Sequence, residues 1–478
     1  STLQALVVPG MVALVSDAIG FLTLYMIDIG VIRELAMAAS IGVAVIIITN
    51  LIVVPVVLSY VGVSGAAVRK IQAGEEKDHP LAGLFARFTR PGMAAASIII
   101  AVVGYAGGIY LSQDLKIGDL DKGAPELWPD PCEEMDCPRG YEPKDRYRYN
   151  HDVNFLVSNY SVSADVLVVM GKTPQEACNT YQAMQAADDM AWALQNVDGV
   201  QDVVTIASAT KMISTNMNEG SMKWATISRD QFALNNVMSF MPDSLYNLNC
   251  SLTPIYVFLD DHKAETLDRA VHAVQEFAQL NNKEGLEFLL AAGNAGIEAA
   301  TNEVIKQAEL TILILVYICV AVMCMITFRS WAATLCIVLP LVLTSVLGNA
   351  LMAFMGIGVK VATLPVVALG VGIGVDYGIY IYSRLESFLR AGLPLQEAYY
   401  ETLKSTGKAV LFTGLCLAIG VCTWIFSAIK FQADMGLMLT FMLLWNMFGA
   451  LWLLPALARF LIKPEKMAGK VGNSLFSH

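Results

Sequence analysis

The chain has 478 residues, of which 56% are hydrophobic and 15% charged, and its mean hydropathy is positive, whereas soluble domains carry about a quarter charged residues. This composition excludes an ordinary soluble protein and makes apolar spans, not length, the unit of organisation. The net charge of -11 collects in one long polar segment and there is no basic tail, so nucleic acid is excluded as a partner.

Nothing ahead of the first apolar run has the basic region or cleavage site of a signal peptide, and Ser1 reads as a cut rather than a native start. Eight runs are long enough to cross a bilayer as helices: about Ala5 to Ile27, Ala36 to Tyr60, Met93 to Leu111, Leu310 to Phe328, Ala332 to Met355, Val361 to Ser383, Val410 to Ala428, and Gly436 to Leu461. They divide the chain into two helices at 1–62, a linker at 63–92, one helix at 93–111, an extramembrane segment at 112–309, a five-helix bundle at 310–461 and a tail at 462–478. Arg69, Lys70, Lys77, Arg87 and Arg90 follow span two, and Arg329 follows span four. Arg384, Arg390, Lys404 and Lys408 follow span six, and Lys463, Lys466 and Lys470 close the chain. The other short loops hold only Arg33, Lys360 and Lys430. The positive-inside rule therefore places the linker and both termini in the cytoplasm and residues 112–309 on the opposite side.

The two ends of the chain resemble each other. A shift of 400 residues sets Thr2, Leu3, Ala18, Ile19, Gly20, Thr23, Ile29, Leu51 and Pro55 on Thr402, Leu403, Ala418, Ile419, Gly420, Thr423, Ile429, Leu451 and Pro455. Apolar composition alone produces some such matches, but the Gly and Pro positions point to a duplicated transporter half. On that expectation spans one and two close a first half whose opening helices lie upstream of Ser1.

Between 112 and 309 short β-branched runs alternate with amphipathic stretches, the pattern of α/β units. Strands are expected at Ala164 to Met170, Gln201 to Ala207 and Ile255 to Asp260, with helices from Thr173 to Gln195 and from about Glu265 to Leu280, giving two split βαβ units. Cys132, Cys137, Cys178 and Cys250 lie here, while Cys319, Cys324, Cys336, Cys416 and Cys422 lie in apolar spans. Four cysteines outside the spans suit an oxidising compartment; Cys132 with Cys137 and Cys178 with Cys250 are the favoured pairs, and free thiols are the alternative. The acidic loop between Cys132 and Cys137 offers carboxylates and thiolates to a cation, although no metal site is expected. His262 and His272 read as surface residues, and no nucleophile or metal motif supports an enzyme.

Span six reads LPVVALGVGIGVDYGIYIYSR, with Asp376 about 10 Å from its cytoplasmic end at 1.5 Å per residue. An ionised carboxyl there costs about 2.5–3.5 kcal/mol or more and persists only facing protein or water. Desolvation favours the neutral form, which lets protonation respond to a proton gradient. Gly370, Gly374 and Gly378 form a small-residue stripe for a close helix contact, and Gly372 clears space one turn before Asp376. Tyr377 is either a hydrogen-bond donor to a facing carboxylate or a core aromatic. Asp17 in span one, beside Ser16, either relays protons or pairs with a polar neighbour. Asn349, Thr413, Thr440 and Asn446 read as interhelical hydrogen-bond formers.

GVGIGVDYGIYIYSRL around Asp376, an amphipathic stretch from Glu386 to Lys408, and TGKAVLFTG at 406 to 414 resemble the tenth and eleventh spans of the MMPL-type branch of the resistance-nodulation-division superfamily. The resemblance implies a polytopic helical membrane protein of the bacterial inner membrane, with residues 112–309 as a periplasmic porter domain. It implies proton-driven export of lipids or other hydrophobic compounds, with Asp376 and Tyr377 in the proton relay, protons as coupling ion and no other cofactor. The matching pair of the first half would lie upstream of Ser1. The implied partners are a lipidic substrate, membrane lipids and the missing N-terminal half, with a homo-oligomeric copy and a periplasmic accessory protein compatible with the same architecture. A Patched-like sterol-sensing receptor and a SecD/SecF-like protein-export factor are the alternatives.

Overall fold

The computed structural model describes residues 2–62, 80–133, 137, 141–160 and 163–464. Arg69, Lys70, Lys77, Glu134, Met135, Asp136, Lys466 and Lys470, which enter the charge pattern and the acidic loop, lie outside these residues. The chain forms two compact units: Ser1–Lys116 with Val304–Ser427 and Phe431–His478, and Ile117–Glu303 with Ala428–Lys430.

The first unit opens with α1 (Thr2–Thr23) and α2 (Gly30–Ile48), which passes through a π turn at Thr49–Val53 into α3 (Val54–Val61). Short α4 (Pro80–Ala86) and long α5 (Pro91–Ser112) follow. Arg90 and Pro91 fix the start of α5, since proline is tolerated in the first turn, where its missing N–H has no intrahelical acceptor.

In the second unit α6 (Asp145–Asn159) leads to β1 (Asp165–Lys172), α7 (Tyr181–Gln195), β2 (Val200–Val204), α8 (Ile206–Met217), α9 (Gln231–Met238), β3 (Leu252–Leu259), α10 (Ala264–Asn281) and β4 (Glu287–Ala292). The sheet order is β2-β3-β1-β4, with every neighbouring pair antiparallel. Thus β1 and β2 run parallel with β3 between them, so the topology is that of two interleaved split βαβ units. Leu167 and Val169 of β1 and Ile255, Val257 and Leu259 of β3 are fully buried, as the two-residue period of a strand requires. They pack with Met184, Met190 and Leu194 of α7 and with Leu267, Ala270 and Val274 of α10. Each fully buried aliphatic side chain contributes about 1.5–3 kcal/mol.

Two expectations within this unit need correction, and one strand is added. The helix expected from Thr173 begins at Tyr181, because Cys178 N–H bonds to Cys250 carbonyl at 2.9 Å and holds the preceding segment in a loop, and Thr180 then caps the helix. The strand expected to reach Ala207 stops at Val204, where Thr205 and Ser208 form a reciprocal capping box that opens α8. The short, largely apolar run Glu287–Ala292 forms the edge strand β4, which the sequence reading passed over.

The chain returns through α11 (Asn294–Phe328), α12 (Trp331–Met355), α13 (Leu364–Arg390), α14 (Leu395–Thr402), α15 (Lys408–Cys422) and α16 (Lys430–Leu461). Seven helical stretches among the described residues are long and apolar enough to cross a membrane: Gly30–Ile48, Pro91–Ser112, Asn294–Phe328, Trp331–Met355, Leu364–Arg390, Leu395–Phe426 and Lys430–Leu461. The first of the eight expected spans is shorter by this measure, with an apolar helix counted over Gly10–Met26. Within the unit α13 packs against α1 and α12, and α12 against α5.

The same local structure recurs 400 residues apart. Thr23 and Thr423 each donate a hydroxyl hydrogen bond of 2.7 Å to the carbonyl three residues earlier, Gly20 and Gly420. Each threonine marks the change into a 3-10 turn, Leu24–Met26 in one case and Thr423–Phe426 in the other. Both turns end on the same backbone bond, Ile27 to Leu24 and Ser427 to Trp424. This equivalence in structure supports a duplicated helix pair.

Candidate functional site

The functional site is built on the contact between α1 and α13. Gly372, Asp376 and Tyr380 stand at i, i+4 and i+8 and so share one face of α13. That face meets Gly20, Asp17 and Gly10 of α1. A Cβ built on Gly20 would lie 3.5 Å from Gly372 Cα, one on Gly372 would lie 3.9 Å from Asp17 Oδ1, and one on Gly10 would lie 3.5 Å from the Tyr380 hydroxyl. Residue numbers fall along α1 as they rise along α13, so the two helices are antiparallel. Close backbone approach at Gly20 and Gly372 places Asp17 and Asp376 at the same helix contact, with Asp17 Oδ1 against Gly372, one turn from Asp376.

Four buried polar atoms at this contact have no hydrogen-bond partner among the described residues. Ser16 Oγ, Asp17 Oδ1, Asp376 Oδ1 and the Tyr377 hydroxyl are all buried and unpaired. Leaving such groups unmatched costs about 1–3 kcal/mol each, and a cluster of them calls for a function. Tyr377 is 3% exposed and forms no hydrogen bond to a facing carboxylate, although it feels the charge of both acids. Tyr380 feels both charges as well; sequence reasoning passed over it, and its four-residue spacing from Asp376 was the available signal.

The remaining glycines hold the opposite faces of α13. A Cβ on Gly370 would come within 2.6 Å of Met442 Sδ on α16, and one on Gly374 would collide with Asn446 and lie 3.0 Å from Leu341. A Cβ on Gly378 would sit 2.9 Å from Ile337 of α12. Asn446 donates to the Gly370 carbonyl at 2.6 Å, the interhelical bond its residue type suggests. Thr440 instead bonds within its own helix, to Gly436. The stripe expected to seat one helix therefore seats two, and it leaves only the Gly372 and Asp376 face for α1. Nearby, Lys360 and Asp434 form a buried ion pair at 3.6 Å, with Lys360 more than a loop cation.

In the second unit Cys132 is bonded to Cys137 and Cys178 to Cys250. The thiols of the acidic loop are thus engaged with each other and not available to a cation. Asp130 beside that loop accepts from the Cys132 N–H at 3.0 Å, from Asn154 at 3.2 Å, and contacts His151 Nδ1 at 3.1 Å. Burial works against its charged form, but these hydrogen bonds and the histidine outweigh it and hold the carboxyl below the usual range. His262, expected at the surface, is 2% exposed, because Asp119 and Glu298 close over it from distant parts of the chain.

A helical bundle of this length and hydropathy, with two acids facing each other between its helices, defines a polytopic α-helical membrane protein. The chain belongs to the MMPL family, which residues 156–470 match. A membrane protein of Methanocaldococcus jannaschii is 23% identical over 284 residues, covering 58% of this chain and 70% of that protein. Membrane protein YdfJ of Bacillus subtilis is 26% identical over 40% of this chain and 26% of its own length. The sulfolipid-1 exporter MmpL8 of Mycobacterium tuberculosis is 30% identical over 25% of this chain and 12% of its own length. The chain therefore spans most of the archaeal relative and about a quarter or less of the other two.

Proposed function

We propose that the protein takes part in proton-motive-force-driven export of lipidic or other hydrophobic compounds at the bacterial inner membrane. In this reading Asp376 is the protonatable coupling residue, Asp17 is its partner in the relay, and Tyr377 and Tyr380 line their contact. The observation that carries it is the pair of unpaired carboxyl oxygens on facing helices. Two like charges in a site shielded from water repel strongly, so binding or losing one proton changes how closely α1 and α13 can stay together. A proton is then the ligand whose differential affinity shifts the helix pair between two arrangements.

Family membership and the likeness to the mycobacterial sulfolipid-1 exporter favour a lipid as the exported compound. The two disulfides suit a periplasmic location for residues 117–303, and the loop charge pattern gives the same orientation. The proposal is tested with Asp376→Asn in the complete protein reconstituted into liposomes with a pH gradient. Proton-coupled export of a fluorescent lipid is expected to be lost while the protein remains folded. Export at the wild-type rate would remove Asp376 from the coupling step.

A further inference from the structure

We propose that Asp119, His262 and Glu298 form a divalent transition-metal site of the zinc type, with Asp165 orienting the histidine. One ligand atom from each of the three residues lies within 4.8 Å of the others. Two metal–ligand bonds of about 2.1 Å laid end to end span about 4.2 Å, so a small inward movement brings all three donors onto one ion. An imidazole with two carboxylates is a donor set that zinc and its neighbours accept.

The histidine supplies the independent sign. Its Nδ1 lies 3.2 Å from Asp165 Oδ2, and because a carboxylate only accepts, Nδ1 carries the proton. The coordinating lone pair is therefore left to Nε2, which is buried and has no hydrogen-bond partner among the described residues. A carboxylate that holds the far nitrogen of a metal-ligating histidine fixes its tautomer and ring direction. Asp165 is itself fixed, since Asn294 donates to its Oδ1 at 3.3 Å and to the Ala164 carbonyl at 2.8 Å.

The ligand backbones are also secured. The Ala264 N–H donates to the Asp119 carbonyl at 3.0 Å. Gly118, at φ +98°, lies against Ala264 and Asn302, so a side chain there would meet both a strained backbone and occupied space. Asp119 and His262 thus sit at the start of α10, and Glu298 projects from the first turns of α11.

Neither protonation state completes the cluster without an ion. A neutral Nε2 would aim its lone pair at two carboxylates. A protonated Nε2 would leave a buried N–H unpaired, a costly arrangement. A metal ion at Nε2 satisfies that nitrogen and supplies the positive charge that Asp119, Glu298 and Asp165 around it require.

The test uses the full chain in detergent, without a polyhistidine tag, stripped with chelator, exchanged with Zn2+ alone and passed through gel filtration before elemental analysis. Wild type is expected to retain close to one zinc per chain. His262→Ala and the near-isosteric Glu298→Gln should bring retention to background, and Asp165→Asn should weaken zinc affinity about 10–100-fold. His272→Ala, on the exposed side of α10, should retain zinc as wild type does. Resistance of the second unit to protease, compared with wild type, reports that each variant is folded. No zinc on folded wild type, equal zinc on folded Glu298→Gln, or loss of zinc in His272→Ala overturns the site.

Discussion

Gly20 and Gly372 set the distance between α1 and α13: a methyl group on the first would rest 3.5 Å from the Cα of the second. Any larger side chain at either position separates the helices that hold Asp17 and Asp376. The glycines of α13 therefore differ in what they tolerate.

Gly372→Ala adds a methyl at ordinary contact distance, 3.9 Å from Asp17 Oδ1 and Gly20 Cα, and alanine is favoured over glycine in a helix by up to about 1 kcal/mol. It should be neutral or mildly stabilising. Gly374→Ala drives a methyl into Asn446 and Leu341 and should cost about 1–3 kcal/mol. Thermal unfolding in detergent distinguishes them, and equal midpoints would contradict the packing described.

Asp17→Asn should change the pH dependence of export in the complete protein and leave the fold intact. The check is the rate of export measured against pH on each side of the membrane. A pH profile of folded Asp17→Asn identical to wild type would remove Asp17 from the relay.

Replacing Cys178 and Cys250 with serine opens a connection across 72 residues. Loops of this size correspond to about 4 kcal/mol of stabilisation. The variant's second unit should be digested by protease at temperatures where wild type resists. Ready thiol labelling of wild-type Cys178 or Cys250 without reductant would oppose the bond itself.

Asp130 has a depressed pKa, so its contribution to stability is present above the unfolded carboxyl pKa of about 3.9 and fades as pH falls through the lower folded value. Asp130→Asn should therefore be less stable than wild type at neutral pH and approach it in strong acid. Hydrogen exchange of the Cys132 amide, which Asp130 accepts from, checks this. A stability difference independent of pH would assign the effect to packing.

Hydropathy made the helices of the bundle legible, and the cost of an intramembrane carboxyl singled out Asp376. The partner of Asp376 was less visible, since Asp17 lies 359 positions earlier and only packing shows that Gly20 and Gly372 meet. The start of α7 lies beyond Pro174, which resembles a helix opening, because the link to Cys250 holds that segment in a loop of turns. His262 was misread for the same kind of reason. Its burial depends on Asp119 and Glu298, and neither is near it in the sequence.

The matching ends of α1 and α15 give the protein an internal reference. Gly20 and Gly420 precede the same threonine bond and the same tight turn, but a Cβ on Gly20 meets Gly372 whereas one on Gly420 meets nothing within 4 Å among the described residues. An identical substitution at the two positions shares its effect on local helix formation and differs in the helix contact. Subtracting one result from the other therefore isolates the energy with which α1 grips α13, free of the backbone preferences that confound a single mutant.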